Sequence, residues 1–169
     1  MANEVLRVGV LTISDRGAAG AYEDRSGAII RKMVSGQMPA AIVESAIIPD
    51  EFDRIRDTLV AWADGKQLDL ILTTGGTGFA PRDVTPEATR AVIERETPGL
   101  VLAMLQASLA VTPHAMLSRM AAGIRGKTLI VNLPGSPKAA GENLETILPA
   151  LPHGLELMRG EPVESHEPQ

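Results

Sequence analysis

The 169 residues contain no cysteine. Disulfides, thiolate nucleophiles and zinc–thiolate sites are therefore excluded. Aromatic residues are scarce too: one Trp, one Tyr and two Phe. With so little stacking surface and a formal charge of −5, the chain lacks the rings and the basic field that nucleic-acid binding requires. No apolar run reaches the roughly 18 residues of a membrane-spanning helix. Asn3, Glu4 and Arg7 interrupt any N-terminal signal core. His114, His153 and His166 are too scattered for a metal cluster. The expectation is a soluble, cytoplasmic protein with no nucleic-acid or membrane partner.

What is present is aliphatic. Apolar residues make up 44% of the chain, so the core is built from Ala, Val, Ile, Leu and Met. A chain of this length buries about two-thirds of its unfolded surface, enough for one real core. One domain is expected over residues 1–160, with a flexible polar tail over 161–169. Sixteen glycines and twelve prolines imply many sharp connections.

Short β-branched or wholly apolar runs at residues 7–13, 40–48, 68–74 and 128–133 predict strands. Helices are predicted at 26–38, 51–64, 100–110 and 136–148, with a short one at 153–159. In the second of these, Phe52, Ile55, Leu59 and Trp62 recur at helical spacing. Thr85-Pro86-Glu87 reads as a helix start with Thr85 as N-cap, and residues 123–126 read as a turn. Strands alternating with helices imply an α/β protein: a parallel sheet with helices on both faces. Ligands of such sheets sit at the carboxyl ends of the strands, where the loops at Ser14, Pro49 and Gly75 should open together.

Chemistry concentrates in TTGGTGFAPRDVTPEAT, residues 73–89. A buried strand runs into three glycines, two threonines, Arg82 and Asp83, and then into a helix N-terminus. Glycines let a ligand approach the backbone N–H groups, although a plain connector would have the same composition. The dinucleotide fingerprint fails because Pro81 stands at its third glycine position, and GKT at 126–128 precedes a strand rather than a helix. LPGSPK, residues 133–138, offers a second anion-binding helix start, or simply a capped helix. Asp50 reads either as the N-cap of the helix at 51 or as a carboxylate that recruits Mg²⁺. Asp83 is harder to explain as a cap. Ser14-Asp15-Arg16 binds substrate or forms a turn.

LTISDR, IPDE, the Gly-rich segment, LSRMAAGIRGKTLIVNLPGSPKA and LPHGLELMRG together resemble the MogA/MoaB family of molybdenum-cofactor biosynthesis. The resemblance spans residues 5–160. It implies a three-layer α/β/α sandwich, a homo-oligomer (a trimer, or in some members a hexamer), and transfer of AMP from Mg-ATP to the terminal phosphate of molybdopterin. It assigns the nucleotide to Gly75, Gly76, Thr77 and Gly78 and to Asn132, Leu133, Pro134 and Gly135. It makes Asp50 and Asp83 the functional acids, here read as Mg²⁺ ligands. On the substrate side it matches Ser14, Asp15, Arg16, Ser108, Ser118 and Arg119. Arg82 or Lys138 is the candidate for neutralising the leaving pyrophosphate. Contact with molybdopterin synthase or with the molybdate-insertion protein is a further implication. Two other roles of the same fold stay open: a MoaB-like molybdopterin binder and a gephyrin-type scaffold module. A competence-damage domain would carry Leu where Thr77 stands, and a long C-terminal partner domain.

Overall fold

Burial with a period of two organises the centre of the molecule. In the computed structural model, which describes residues 4–160, Leu6, Val8 and Val10 of β1 (Leu6–Ile13) face one core, and Leu11 and Ile13 face another. β3 (Leu70–Thr74) and β6 (Thr128–Leu133) divide in the same way. Leu70, Leu72, Leu129 and Val131 point to the first side, Ile71 and Ile130 to the second. Strands that are apolar on both faces require cover on both, and helices supply it.

The sheet has six strands in the order β2-β1-β3-β6-β5-β4. β2 (Ala40–Ile48), β1, β3 and β6 run parallel. β5 (Ala122–Arg125) and the two-residue β4 (Arg95–Glu96) are antiparallel at the far edge. α2 (Arg25–Gln37), α5 (Pro98–Leu109), α6 (Pro137–Ile147) and α7 (Leu151–Arg159) cover the first face. α3 (Phe52–Val60), a π-helical turn at Ala61–Gly65 and α4 (Thr85–Val92) cover the second. This is the expected mostly parallel three-layer α/β/α sandwich. The expected tail at 161–169 lies outside the described residues.

Three sequence expectations need correction. Residues 123–126 are not merely a turn: β5 occupies most of them and pairs with β6 across Gly126, whose φ is +55°. Gly123 misled because a strand interior disfavours glycine. Here a Cβ would lie 2.6 Å from Ile93 and 2.7 Å from the Arg95 carbonyl, so β4 can approach only a bare backbone. Ser14-Asp15-Arg16 is not a simple turn: Ser14 caps the short helix α1 (Asp15–Ala18), and Asp24 caps α2 through the Gly27 N–H at 2.9 Å. The helix predicted at 100–110 begins two residues earlier, at Pro98 (α5, Pro98–Leu109), following the ordinary preference for proline in the first turn.

The chain leaves β1 toward β2 on one side, and β3 leads toward β6 on the other. The β1/β3 boundary is therefore a topological switch point, where a crevice opens beyond the carboxyl ends of the strands.

Candidate active site

At that crevice two glycines carry the backbone through left-handed conformations, Gly75 at φ +100° and Gly76 at φ +68°. Space demands glycine as strongly as torsion does. A Cβ on Gly75 would sit 2.2 Å from the Ile13 carbonyl oxygen. One on Gly76 would sit 2.3 Å from Thr85 Oγ1 and 3.0 Å from Asp50 Oδ1. Gly135, in the loop after β6, packs against Gly75, with a Cβ there 3.2 Å from the Gly75 Cα. Thr74 Oγ1 donates to the Pro134 carbonyl at 2.7 Å and ties the two loops together.

Thr85 is not the cap that the sequence predicted, and Asp50 does not take the cap role that was one of its two readings. Thr85 is the first residue inside α4, and its hydroxyl donates to the Gly75 carbonyl at 3.0 Å. Glu51, without a side-chain cap bond, precedes α3. Asp50 instead accepts the Asp15 N–H at 2.8 Å, and Asp15 accepts the Asp50 N–H at 3.0 Å. Arg82 reaches over from the Gly-rich loop and holds Asp15 with two donors, each at 2.9 Å. That guanidinium draws the Asp15 carboxyl below its usual range. Partial burial pushes Asp50 the other way, with the charges of Asp15 and Asp83 adding to the rise.

Asp83 folds the Gly-rich loop around itself, accepting the N–H groups of Gly78 and Ala80 at 3.1 Å each through Oδ2. Arg119 buttresses the loop from behind. It donates to the Gly78 carbonyl at 2.7 Å and the Asp83 carbonyl at 2.8 Å, and it pairs with Glu87. Asp50 Oδ1 and Asp83 Oδ1 accept no hydrogen bond from any described residue. Each acid thus anchors the backbone with one oxygen and keeps the other free.

Two cavities meet here. The smaller, about 240 Å³, has Thr12, Ser14, Asp24, Asp50 and Thr74 in its walls. The larger, about 530 Å³, has walls from Leu105, Ser108, Val111, Leu117, Ser118 and Met120. Both include Gly76, Asp83 and Gly135. A cavity of about 690 Å³ lies at the other end of the sheet, but there Arg159 holds Asp69 at 2.9 and 2.8 Å and Arg125 holds Asp64 at 3.0 and 2.7 Å. Two of its lining acids, Asp64 and Asp69, are thus already paired with arginines.

Most of the predicted site residues converge. Ser14, Asp50, Asp83, Gly75, Gly76, Thr77, Gly78, Pro134, Gly135, Ser108 and Ser118 all line one or both of the paired cavities. Asn132 and Leu133 do not. Both are fully buried, so their side chains are corrected from nucleotide contacts to scaffold. Asn132 accepts the Ala121 N–H at 3.1 Å and donates to Thr73 at 3.0 Å and Thr89 at 2.9 Å, joining β6 to β3 and α4. Arg119 supports the loop, and Arg16 lies 5.4 Å over the ring of Tyr22, outside both linings. Sequence reading missed Tyr22 and Asp24 in the smaller cavity. Asp24 stands before a helix, which is a cap signal, and Tyr22 has no local signal at all.

A switch-point crevice with a Gly-rich floor defines an α/β ligand-binding domain. Residues 9–153 match the family described as "Probable molybdopterin binding domain", and the chain belongs to that family. It is 43% identical to a molybdopterin adenylyltransferase of Helicobacter pylori (strain J99), over 97% of this chain and 94% of that protein. It is 48% identical to gephyrin of Dictyostelium discoideum over 94% of this chain, and spans about 23% of gephyrin's length. The crystal structure of the molybdopterin biosynthesis enzyme MoaB of Thermus thermophilus superposes with a TM-score of 0.88 at 51% identity, covering 95% of this chain and all of that one.

Proposed function

We infer that this chain is a molybdopterin adenylyltransferase of molybdenum-cofactor biosynthesis, a single domain over residues 1–160 that transfers AMP from ATP to the terminal phosphate of molybdopterin. The observation that carries this reading is the wall shared by the two cavities, with two half-free carboxylates, Asp50 and Asp83, beside it. Two substrates seated in adjoining cavities would meet there. Similarity to an enzyme so named, over nearly its whole length, supports it.

An oxygen of the molybdopterin phosphate attacks the α-phosphorus of ATP. As that bond forms, the bond from the α-phosphorus to the oxygen bridging to the β-phosphorus breaks, and its electron pair leaves with pyrophosphate. The attacking oxygen is already anionic near neutral pH, so the protein has little proton chemistry to perform. Alignment of the two phosphates and control of their charge are its main tasks. Gly75, Gly76, Thr77, Gly78, Pro134 and Gly135 line the junction of the two cavities and serve the nucleotide phosphates there, and the Ser136-capped start of α6, on the larger cavity, offers N–H groups to the phosphates that meet at that junction. Ser14, Asp15, Arg16, Ser108, Ser118 and Arg119 form or brace the substrate side. Arg82 is engaged by Asp15, while the Lys138 ammonium stands 3.8 Å from its nearest acid, Glu142. Lys138 is therefore the freer cation for the leaving pyrophosphate.

The residues fit a magnesium ion. No group of three or more His, Cys, Asp or Glu converges among the described residues, and none is needed: Mg²⁺ is commonly held by one or two carboxylates plus substrate phosphates. Asp50 and Asp83 would supply those carboxylates through their free oxygens, and the ion would supply charge neutralisation on the phosphates.

A homo-oligomer, in this reading a trimer, is supported by α5. Its sequence PGLVLAMLQASL is apolar on nearly every side, yet only Met104 is fully buried. Leu102 and Leu109 are exposed, as are Val111, Met116 and Leu117 just beyond. A helix apolar all round belongs inside an interface or a core. No helix of the described residues is long and apolar enough to cross a membrane. In this reading the enzyme works in the cytoplasm, takes its substrate from molybdopterin synthase and hands its product to the molybdate-insertion protein.

The 51% identity to a protein named MoaB favours one second reading, a molybdopterin binder of the same pathway. One incubation separates the two. Pure protein with molybdopterin, ATP and Mg²⁺ should yield adenylyl-molybdopterin and pyrophosphate. Binding without turnover would favour the second reading, and absence of pterin binding would overturn both.

A further inference from the structure

Asn143 on α6 is 1% exposed and makes an unusual pair of bonds. Its Nδ2 donates to the Ala139 carbonyl at 2.8 Å and to the Ser108 hydroxyl oxygen at 2.9 Å. The first contact fixes the amide orientation, because a carbonyl oxygen can only accept and so must face the NH₂ group. The second then has one possible polarity: the amide nitrogen has no lone pair to offer, so Ser108 must be the acceptor. Its own hydrogen is left over.

That hydrogen has no acceptor among the described residues. A helical serine ordinarily donates to the carbonyl four residues back, as Thr58 donates to Arg54 at 2.7 Å and Thr146 to Glu142 at 2.9 Å. Ser108 makes no such bond. It lines the larger cavity with Ala139, one turn from Asn143. Meanwhile Asn143 Oδ1 is buried without a partner. An unsatisfied buried acceptor is costly, and a leucine of similar size would avoid it. The arrangement sacrifices local satisfaction to orient a neighbour.

We propose that Asn143 is a positioning residue: by donating to Ser108 it obliges the Ser108 hydroxyl to act as a hydrogen-bond donor to an acceptor oxygen of the ligand in the larger cavity. The ligand class that this favours is an oxygen-rich anion, and the proposal rests on the reading that molybdopterin occupies this cavity. Asn143 contributes no atom to the ligand and works wholly through the serine.

The test is a double-mutant cycle read by molybdopterin binding without ATP, so that turnover is not required. Asn143→Leu should weaken molybdopterin binding roughly tenfold to a hundredfold, the range for a lost hydrogen bond to a charged group. Ser108→Ala should weaken it as much, and the double variant no further. ATP binding should stay within about twofold in all three, which general disruption of the fold would not allow. If Asn143→Leu does not melt cooperatively, Asn143→Ser takes its place in the cycle. Losses that multiply, or an Asn143 variant that binds normally, would overturn the proposal. Protein that binds molybdopterin but does not adenylate it would sink the assigned activity and leave the cycle able to decide on Asn143. Failure of the unaltered protein to bind molybdopterin would overturn both.

Discussion

Asp15 and Asp50 hold each other through their backbones: each carboxylate accepts the other's N–H, at 3.0 and 2.8 Å. The pair clamps the loop after β1 to the loop after β2 and fixes Asp50 beside the Gly-rich turn. Two acids this close survive because Arg82 neutralises one of them.

Their titrations should therefore diverge. Burial raises the pKa of Asp50, so the folded chain retains a proton there that the unfolded chain has already lost. Its contribution to stability is greatest in acid and declines as pH rises through the raised value. Asp15 behaves oppositely: held low by Arg82, it stabilises above its unfolded pKa and loses that contribution as pH falls through the lowered value. Asp50→Asn should melt no lower than the unaltered chain at neutral pH, with any advantage vanishing toward about pH 4. Melting curves across that range check this, and a variant clearly less stable at pH 7 would contradict it.

The same substitution should be ruinous for turnover. If Asp50 and Asp83 hold the phosphate-bound cation, Asp50→Asn and Asp83→Asn should each slow adenylyl-molybdopterin formation by about 10²–10³, the usual scale for removing one electrostatic stabiliser. Single-turnover assays beside thermal melting separate chemistry from folding. Full activity in a folded double variant would refute the role.

Gly76→Ala should damage fold and site together. The left-handed backbone alone costs about 1–2 kcal/mol for an L side chain. The methyl group would also strike Thr85 and press on Asp50. The expected outcome is a lowered Tm and lost turnover, whereas Gly154→Ala, which meets nothing within 4 Å, should do neither.

Leu102→Glu combined with Met116→Glu places charge on the exposed apolar face, where the native side chains are 58% and 69% exposed. The fold should survive and self-association should not. Analytical ultracentrifugation would report the change, and an unaltered sedimentation coefficient would mean that this face is not the interface.

Much of the fold was legible because aliphatic strands and capped helices state their period locally. β2 matched its expected bounds, and α6 differed by a residue at each end. β4 and β5 were hidden: two charged residues and AGIR carry no strand pattern, and only the pairing of β5 with β6, and of β4 with β5, makes them strands. The acids were visible as residues, but their tasks were not. Asp50 looked like a helix cap because its true partner, Asp15, is 35 residues away. Asn132 looked like a ligand contact because it precedes the Pro134-Gly135 loop. Its side chain turns under α4 by the alternation of the strand, which a motif does not display.

The contact between Gly75 and Gly135 has a consequence for anyone who would redesign the protein. A side chain at Gly135 would press on the Gly75 Cα at 3.2 Å, so the two strand ends would have to give; if the substrates meet at this seam, their preference is hard to edit there. Engineering would then work from the outer wall, at the half-buried Leu105, where a change of size alters the room for a ligand away from that seam.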